Sequence, residues 1–219
     1  MKIKKETGFT LIELIVVVGI IAILSTIVIL VINPAQIFSE ARDAQRIADL
    51  SATNSALTYY LFQATFADMD GPATGTTGGA NMTGSNGGGC KFACWVGYKG
   101  NAIPDDGNNC FSRYDISYST SSNIQQVDGT GWIPVDLTSA IETLGLPLSK
   151  WPLDPISSFT NKGPLFYTYA CDNEKAAYEL NAKMESQRFS SGGISDTESS
   201  DGGSSSTIFE IGNDSSLDL

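Results

Sequence analysis

One carboxylate, Glu13, stands inside an otherwise uncharged apolar run from Phe9 to Ile32. Placing an ionised side chain in a hydrocarbon layer costs roughly 2.5–3.5 kcal/mol near the centre of a span and less towards its end, so Glu13 needs an opposite charge or a path to the interface. Four cysteines, Cys90, Cys94, Cys110 and Cys171, all follow the run. An even number beyond an apolar segment suits two disulfides in an oxidising compartment, and all three connectivities are open. Zinc ligation is the weaker reading, because three residues separate Cys90 from Cys94 where zinc knuckles and thioredoxin-like motifs use two. The chain has no histidine, which removes Ser-His-Asp and Cys-His nucleophiles, HExxH zinc sites and imidazole proton shuttles.

Acidic turns at Asp68/Asp70, Asp105/Asp106 and Asp196/Asp201 are the remaining candidates for a hard cation. None has the ligand spacing of an EF-hand, and solvated loops are the default reading. Trp95, Tyr98, Trp132 and Trp151 could line an adhesive groove, but aromatics beside strand signals are more often packing residues. Asn81-Met82-Thr83 and Asn213-Asp214-Ser215 are formal glycosylation sequons of a kind that arises often by chance. The formal charge of −11 disfavours a nucleic-acid-binding surface.

The elements that must position these groups begin at the N-terminus. Lys2, Lys4 and Lys5 precede the apolar run, which favours a cytoplasmic N-terminus. As a helix the 24-residue run would reach about 36 Å, enough to cross a hydrocarbon core of about 30 Å. A secretory signal has a shorter core followed by a small residue. Here the small residue, Gly8, comes before the run.

Asn33-Pro34 reads as an N-cap followed by a proline at the first helical position, so a break between two helical halves is expected there. The next segment, to Phe66, has Ile37, Ala41, Ala44, Ile47, Ala48, Leu50, Leu57 and Leu61 at three- and four-residue steps, an amphipathic helix. Its polar residues Glu40, Arg42, Asp43, Arg46 and Asp49 read as a solvated face of mixed sign, with salt bridges between subunits as the functional alternative. Gly71 to Gly89 is a Gly/Thr/Asn loop. Short strand signals follow at Cys94–Lys99, Tyr114–Ser119, Leu165–Cys171 and Ala176–Glu185, the last two forming a hairpin through Asp172–Lys175. Val135–Leu144 reads as a short helix closed by Gly145. The Ser/Gly/Asp-rich stretch Ser190–Ser206 is expected to be mobile, with a last short strand at Ile208–Ile211. Antiparallel strands against a long helix give an α+β class.

Gly8 followed by Phe9-Thr10-Leu11-Ile12-Glu13-Leu14, behind a short basic leader, resembles the cleavage and methylation signal of type IV prepilins and type II secretion pseudopilins. The resemblance implies that a prepilin peptidase cuts after Gly8 and methylates the new amino group of Phe9. It also implies that Glu13 meets the Phe9 amine of a neighbouring subunit, which would satisfy the buried carboxylate and set axial register. Loss of the leader removes three lysines and one glutamate, taking the formal charge from −11 to −13. One departure is that the first proline is Pro34, whereas many pilins carry one inside the apolar half. Trp151-Pro152-Leu153-Asp154-Pro155 and the aromatic strands after it are similar, more loosely, to the C-terminal region of major pseudopilins.

The fold implied is the type IV pilin fold, a long N-terminal α-helix with a transmembrane first half, packed on a small antiparallel β-sheet head. The expected divisions are a leader over residues 1–8, a filament-core helix over 9–33, its amphipathic continuation over 34–66, a loop over 67–93, a β-rich head over 94–189 and a tail over 190–219. The function implied is that of a structural subunit, not an enzyme, which polymerises into an extracellular type IV pilus-like filament. The alternatives are a pseudopilin of a type II secretion system and, from another class, a membrane-tethered binding module or enzyme. The implied partners are further copies of the chain, other pilins, the prepilin peptidase, an assembly ATPase and an inner-membrane platform. Before assembly the chain would sit in the cytoplasmic membrane as a single-pass protein, and afterwards in a pilus or an envelope pseudopilus. No cofactor is implied, apart from the calcium that major pseudopilins hold in a C-terminal loop.

Overall fold

The computed structural model of the 219-residue chain describes residues 8–64, 67–70, 93–98, 111, 116–118, 123–140, 145–156, 158–160, 163–173 and 175–214. The chain divides into two compact units, Met1–Ser39 and Glu40–Leu219.

In the first unit, Leu11–Ile32 forms helix α1. Its residues are apolar on every side, the pattern of a segment whose surroundings are themselves apolar. In such surroundings every backbone polar group must find its partner within the chain, which favours a helix despite many β-branched residues. The two hydroxyls inside it follow the same logic: Ser25 donates to the Ile21 carbonyl at 2.8 Å and Thr26 to the Ala22 carbonyl at 3.0 Å. α1 ends at Asn33, which has φ 46° and ψ 75°, the left-handed conformation that asparagine tolerates better than most residues. Helix α2, Pro34–Gln63, starts at the next residue. Proline disfavours helical geometry in the residue before it, so the two helices meet in the break that the Asn-Pro pair led us to expect. Asn33 caps α2 through its main chain, its carbonyl accepting the N–H of Gln36 at 3.0 Å and of Ile37 at 3.4 Å. α2 stops three residues before Phe66, and residues 65 and 66 are not among those described.

The second unit contains α2 from Glu40 onward and the strands. β1 (Ala93–Gly97), β2 (Ile116–Tyr118), β5 (Tyr167–Asp172), β6 (Ala177–Ala182) and β7 (Phe209–Gly212) form one sheet in the order β2-β1-β5-β6-β7. Four of them, β1-β5-β6-β7, are antiparallel neighbours, whereas β2 joins β1 in parallel. β3 (Ser158–Thr160) and β4 (Gly163–Leu165) form a separate two-stranded pair. Helix α3 is Leu137–Ala140, with Gly145 at φ 86° beyond residues 141–144, which lie outside the described set.

Alternation along the strands sorts side chains onto two faces. Tyr167, Tyr169 and Cys171 of β5 and Tyr178, Leu180 and Ala182 of β6 join Leu50, Leu57 and Tyr60 of α2 in the main core. Each large apolar side chain moved out of water there contributes about 1.5–3 kcal/mol. Phe166 and Ala170 of β5 point the other way, into a second cluster with Cys94 and Val96 of β1. The Tyr178 hydroxyl bonds to Asn54 of α2, accepted by its carbonyl at 3.0 Å and its side-chain oxygen at 2.8 Å. Trp132 and Trp151 are wholly buried in the main core, so neither lines an adhesive surface; Tyr98 packs on the second cluster, and the Trp95 side chain is outside the described set. Gly97 makes room for Trp132, since a Cβ there would lie 2.9 Å from the indole ring.

The stretch Ser190–Ser206 is not the free tail its composition suggests. Its turns are fixed by carboxylates that accept backbone N–H groups: Glu198 from Met184 at 2.8 Å and Ser191 at 2.9 Å, Asp201 from Gly203 at 2.9 Å and Glu210 at 2.7 Å. Low apolar content excludes a core of its own, but acidic and hydroxyl side chains offer the backbone partners that a core is not needed to supply.

Candidate functional site

The N-terminal site is built from Gly8, Phe9, Thr10 and Glu13. Thr10 has extended backbone and is the N-cap of α1, while Glu13 is the third residue of the helix. The Thr10 N–H and hydroxyl both donate to Glu13 Oε2 at 2.8 Å, and the Glu13 N–H donates to Thr10 Oγ1 at 3.3 Å. This is a reciprocal capping box, which satisfies two helix N-terminal donors and gives the carboxylate its partners. The Thr-x-x-Glu spacing that makes it was legible in the sequence, and the sequence reading passed over it in looking for a partner on another subunit. Phe9 is 90 % exposed beside it. The carboxylate thus points back at Thr10, the residue after Phe9.

Beyond the cap, every described side chain of α1 is exposed to solvent. The 19 residues Leu11–Ile29 form the one helix among the described residues that is long and apolar enough to cross a membrane. An apolar surface of this extent on a single helix requires lipid or other protein to cover it.

A second constellation lies in the unit that begins at Glu40, and it corrects the reading of α2. Asp43 and Arg46, read as part of a solvated face, are wholly buried. Arg46 Nε and Nη2 donate to the two carboxylate oxygens of Asp154 at 2.6 and 3.1 Å, and Nη1 donates to Asp43 Oδ1 at 2.7 Å. Asp43 also accepts the backbone N–H of Glu185 at 2.9 Å and of Ser186 at 2.7 Å. Arg42 makes a two-pronged contact with Glu185, Nε to Oε2 at 2.8 Å and Nη2 to Oε1 at 2.5 Å. Burial alone would lower the Arg46 pKa, but the hydrogen bonds and charges of Asp154 and Asp43 outweigh it and raise the value overall. The Arg42 hydrogen bond holds Glu185 below the usual carboxylate range. These partners come from Trp151-Pro152-Leu153-Asp154-Pro155 and from Glu185 and Ser186 in the segment that follows β6, so this part of the polar stripe binds its own head domain. Tyr167 in the core likewise donates to Asp49 at 2.9 Å. A one-dimensional pattern cannot distinguish charges facing water from charges facing a distant partner.

Of the acidic turns, Asp70 is buried and accepts from Asn173 Nδ2 at 2.5 Å, and burial together with neighbouring Asp68 pushes its carboxyl up to about 6. Asp196 accepts the backbone N–H of Gly192 at 2.7 Å and of Ser199 at 3.0 Å. Among the described residues no group of three or more His, Cys, Asp or Glu is placed to hold a metal ion, and Asp105 and Asp106 lie outside that set. Asn213, the second sequon, engages both ends of its amide, accepting from the Tyr178 N–H at 2.7 Å and donating to the Ala176 carbonyl at 2.9 Å. Asn81, Cys90 and Cys110 are outside the described residues. Cys94 and Cys171 are buried on β1 and β5.

Residues 3–29 match the family model of the prokaryotic N-terminal methylation motif. The chain therefore carries a type IV prepilin-like signal, and the motif coincides with Gly8, the capping box and the exposed apolar helix. The apolar helix, the long helix that follows it and the small antiparallel sheet are consistent with the type IV pilin fold. Comparison with curated proteins and with solved structures finds no match.

Proposed function

We propose that this chain is a filament subunit of the type IV pilin class. The observation that carries the reading is an uncovered, membrane-length apolar helix that opens on a methylation motif and contains one carboxylate, held at its N-terminal cap. A prepilin peptidase cuts after Gly8 and methylates the Phe9 amine, and the mature helix leaves the membrane for the core of a filament of identical and related subunits. Lipid and then neighbouring helices cover the apolar surface. Glu13 enters that environment already hydrogen-bonded by Thr10, which lowers the cost of its transfer, and the positive amine of an adjacent Phe9 then supplies the opposite charge. The role is structural rather than enzymatic, and the acidic head faces water outside the cytoplasmic membrane.

A second reading, a pseudopilin of a type II secretion system, has one feature in its favour. The Trp151–Pro155 stretch that resembles major pseudopilins is a docked element of the head, pinned through Asp154 to α2. The two readings share processing and differ in the length of the filament.

The test is to express the precursor with its peptidase and assembly machinery and to compare wild type with Glu13→Ala. The expected result is cleavage after Gly8 in both and sheared filament from wild type alone. Uncut wild-type precursor, or mature protein that enters no filament or pseudopilus, would overturn the proposal.

A further inference from the structure

Apolar exposure does not end where α1 ends. Helix α2 opens at Pro34, and two large apolar side chains near its start, Ile37 and Phe38, are 50 % and 65 % exposed. Beyond them the exposure stops abruptly. From Ala41 to Ser55 the exposed positions of α2 are held by Ala41, Ala44, Gln45, Ala48, Ala52 and Ser55, with no large apolar residue among them. Charge follows the same boundary. After Glu13 the first charged residue is Glu40, so the chain through Asn33 to Ser39 carries none. A single exposed apolar side chain is ordinary, but an adjacent pair that extends a membrane-length apolar helix and ends at the first charge marks a contact surface.

Lengths indicate what lies against it. α1 has 22 residues, and at 1.5 Å per residue it is about 33 Å long, close to a hydrocarbon core of about 30 Å. Its end therefore falls at the outer edge of the hydrocarbon, and the headgroup layer beyond that edge is about 5–7 Å thick. From Ile32 to Phe38 a helix rises by no more than about 9 Å. Side chains on a helix lean towards its N-terminus, so Ile37 and Phe38 reach back from their own backbone towards the bilayer edge. Asn33, at φ 46°, frees the first turn of α2 from the axis of α1, and any inclination of that turn to the membrane normal lowers the pair further. An apolar helix face in this layer is buried about 5–10 Å into the boundary of headgroups and acyl chains, which is the depth these lengths give.

We propose that Ile37 and Phe38 form an interfacial anchor: before assembly they seat in the headgroup layer on the head side of the membrane and set how deep α1 sits. The partner is the lipid surface itself. The anchor stands on the reading of α1 as a membrane span, and it adds where that span ends.

The test places a fluorophore at the site in the full chain, held in vesicles dilute in protein. Phe38→Trp is read as the difference from wild type, since Trp95, Trp132 and Trp151 are common to both. Vesicles contain lipids brominated near the headgroup end of the acyl chains or near the methyl end, and acrylamide is added to the water. Leu24→Trp, near the middle of α1, is the control for the span. The expected result is that the Phe38→Trp signal is quenched more by the shallow bromines than by the deep ones, while Leu24→Trp is quenched more by the deep ones. Quenching of Phe38→Trp by acrylamide alone places the residue in water, stronger quenching by deep bromines places it inside the span, and shielding from every quencher places it against another copy of the chain; each overturns the anchor. If Leu24→Trp also escapes both brominated lipids, the span itself fails; if it is quenched as expected, only the anchor does.

Discussion

The guanidinium of Arg46, on α2, and the carboxylate of Asp154, in the Trp-Pro-Leu-Asp-Pro stretch, meet through two hydrogen bonds of 2.6 and 3.1 Å, with both side chains shut off from solvent. Asp43 occupies the remaining side of the guanidinium at 2.7 Å. Removing one member of a buried ionic group strands the others without compensation, and typically costs about 3–5 kcal/mol. Arg46→Ala is expected to destabilise the head by about that amount, measured by denaturant unfolding of the detergent-solubilised chain. Arg46→Lys should recover only part of the loss, because an ammonium cannot reproduce the two-pronged contact. A loss below about 1 kcal/mol for Arg46→Ala, the range of an exposed pair, would contradict the buried network.

Asp70 sets a pH dependence of definite sign. Burial, with the hydrogen bond and charge of Asp68, raises its folded-state value from 3.8 to about 6. Between those values the folded chain holds a proton that the unfolded chain releases, so this group's contribution to stability falls as pH rises from about 4 to about 6. Glu185, held down by Arg42, acts in the opposite direction at lower pH, and the difference between wild type and variant isolates Asp70. Asp70→Asn is expected to gain in melting temperature relative to wild type on going from pH 4 to pH 7. Parallel melting curves for the two proteins across that window would contradict the assignment.

Gly97 tests the close approach of strand β1 to the core. A Cβ added there would lie 2.9 Å from Trp132 Cδ2, and the indole is held in place by its N–H donating to the Pro152 carbonyl at 3.0 Å. Gly97→Val is expected to cost about 1–3 kcal/mol through overpacking, accompanied by a change in tryptophan fluorescence. An unchanged melting temperature would mean that Trp132 moves aside freely.

Thr10 and Glu13 make separable contributions at the N-terminus. Thr10→Val removes the hydroxyl donor at 2.8 Å and keeps the backbone N–H donor at 2.8 Å, whereas Glu13→Ala removes the carboxylate itself. Loss of an N-cap hydroxyl costs about 0.5–2 kcal/mol of helix stability. Sheared-filament yield is expected to fall from wild type to Thr10→Val to Glu13→Ala, with cleavage after Gly8 retained in all three. Equal yields for wild type and Glu13→Ala would remove the carboxylate from assembly.

The sequence by itself determined the parts of this protein governed by local rules. A membrane-length apolar run, the break at Asn33-Pro34, the hairpin of β5 and β6 and the last strand all follow from composition, proline geometry and alternation within a few residues. The leader motif belongs with them, because it is one contiguous run, matched over residues 3–29. Only the tertiary structure decided where the charges of α2 point. Asp43 and Arg46 look solvated in one dimension because their partners, Asp154 and Glu185, are more than a hundred residues away. The same holds for Ser190–Ser206, which low hydrophobicity marks as mobile but which Glu198 and Asp201 fix through backbone N–H groups, and for the parallel edge strand β2. It holds too for Cys94 and Cys171, whose placement in two separate clusters on opposite faces of the sheet came from strand register. Burial and register depend on contacts between distant segments, and the free energy that selects those contacts has no signature in the order of neighbouring residues.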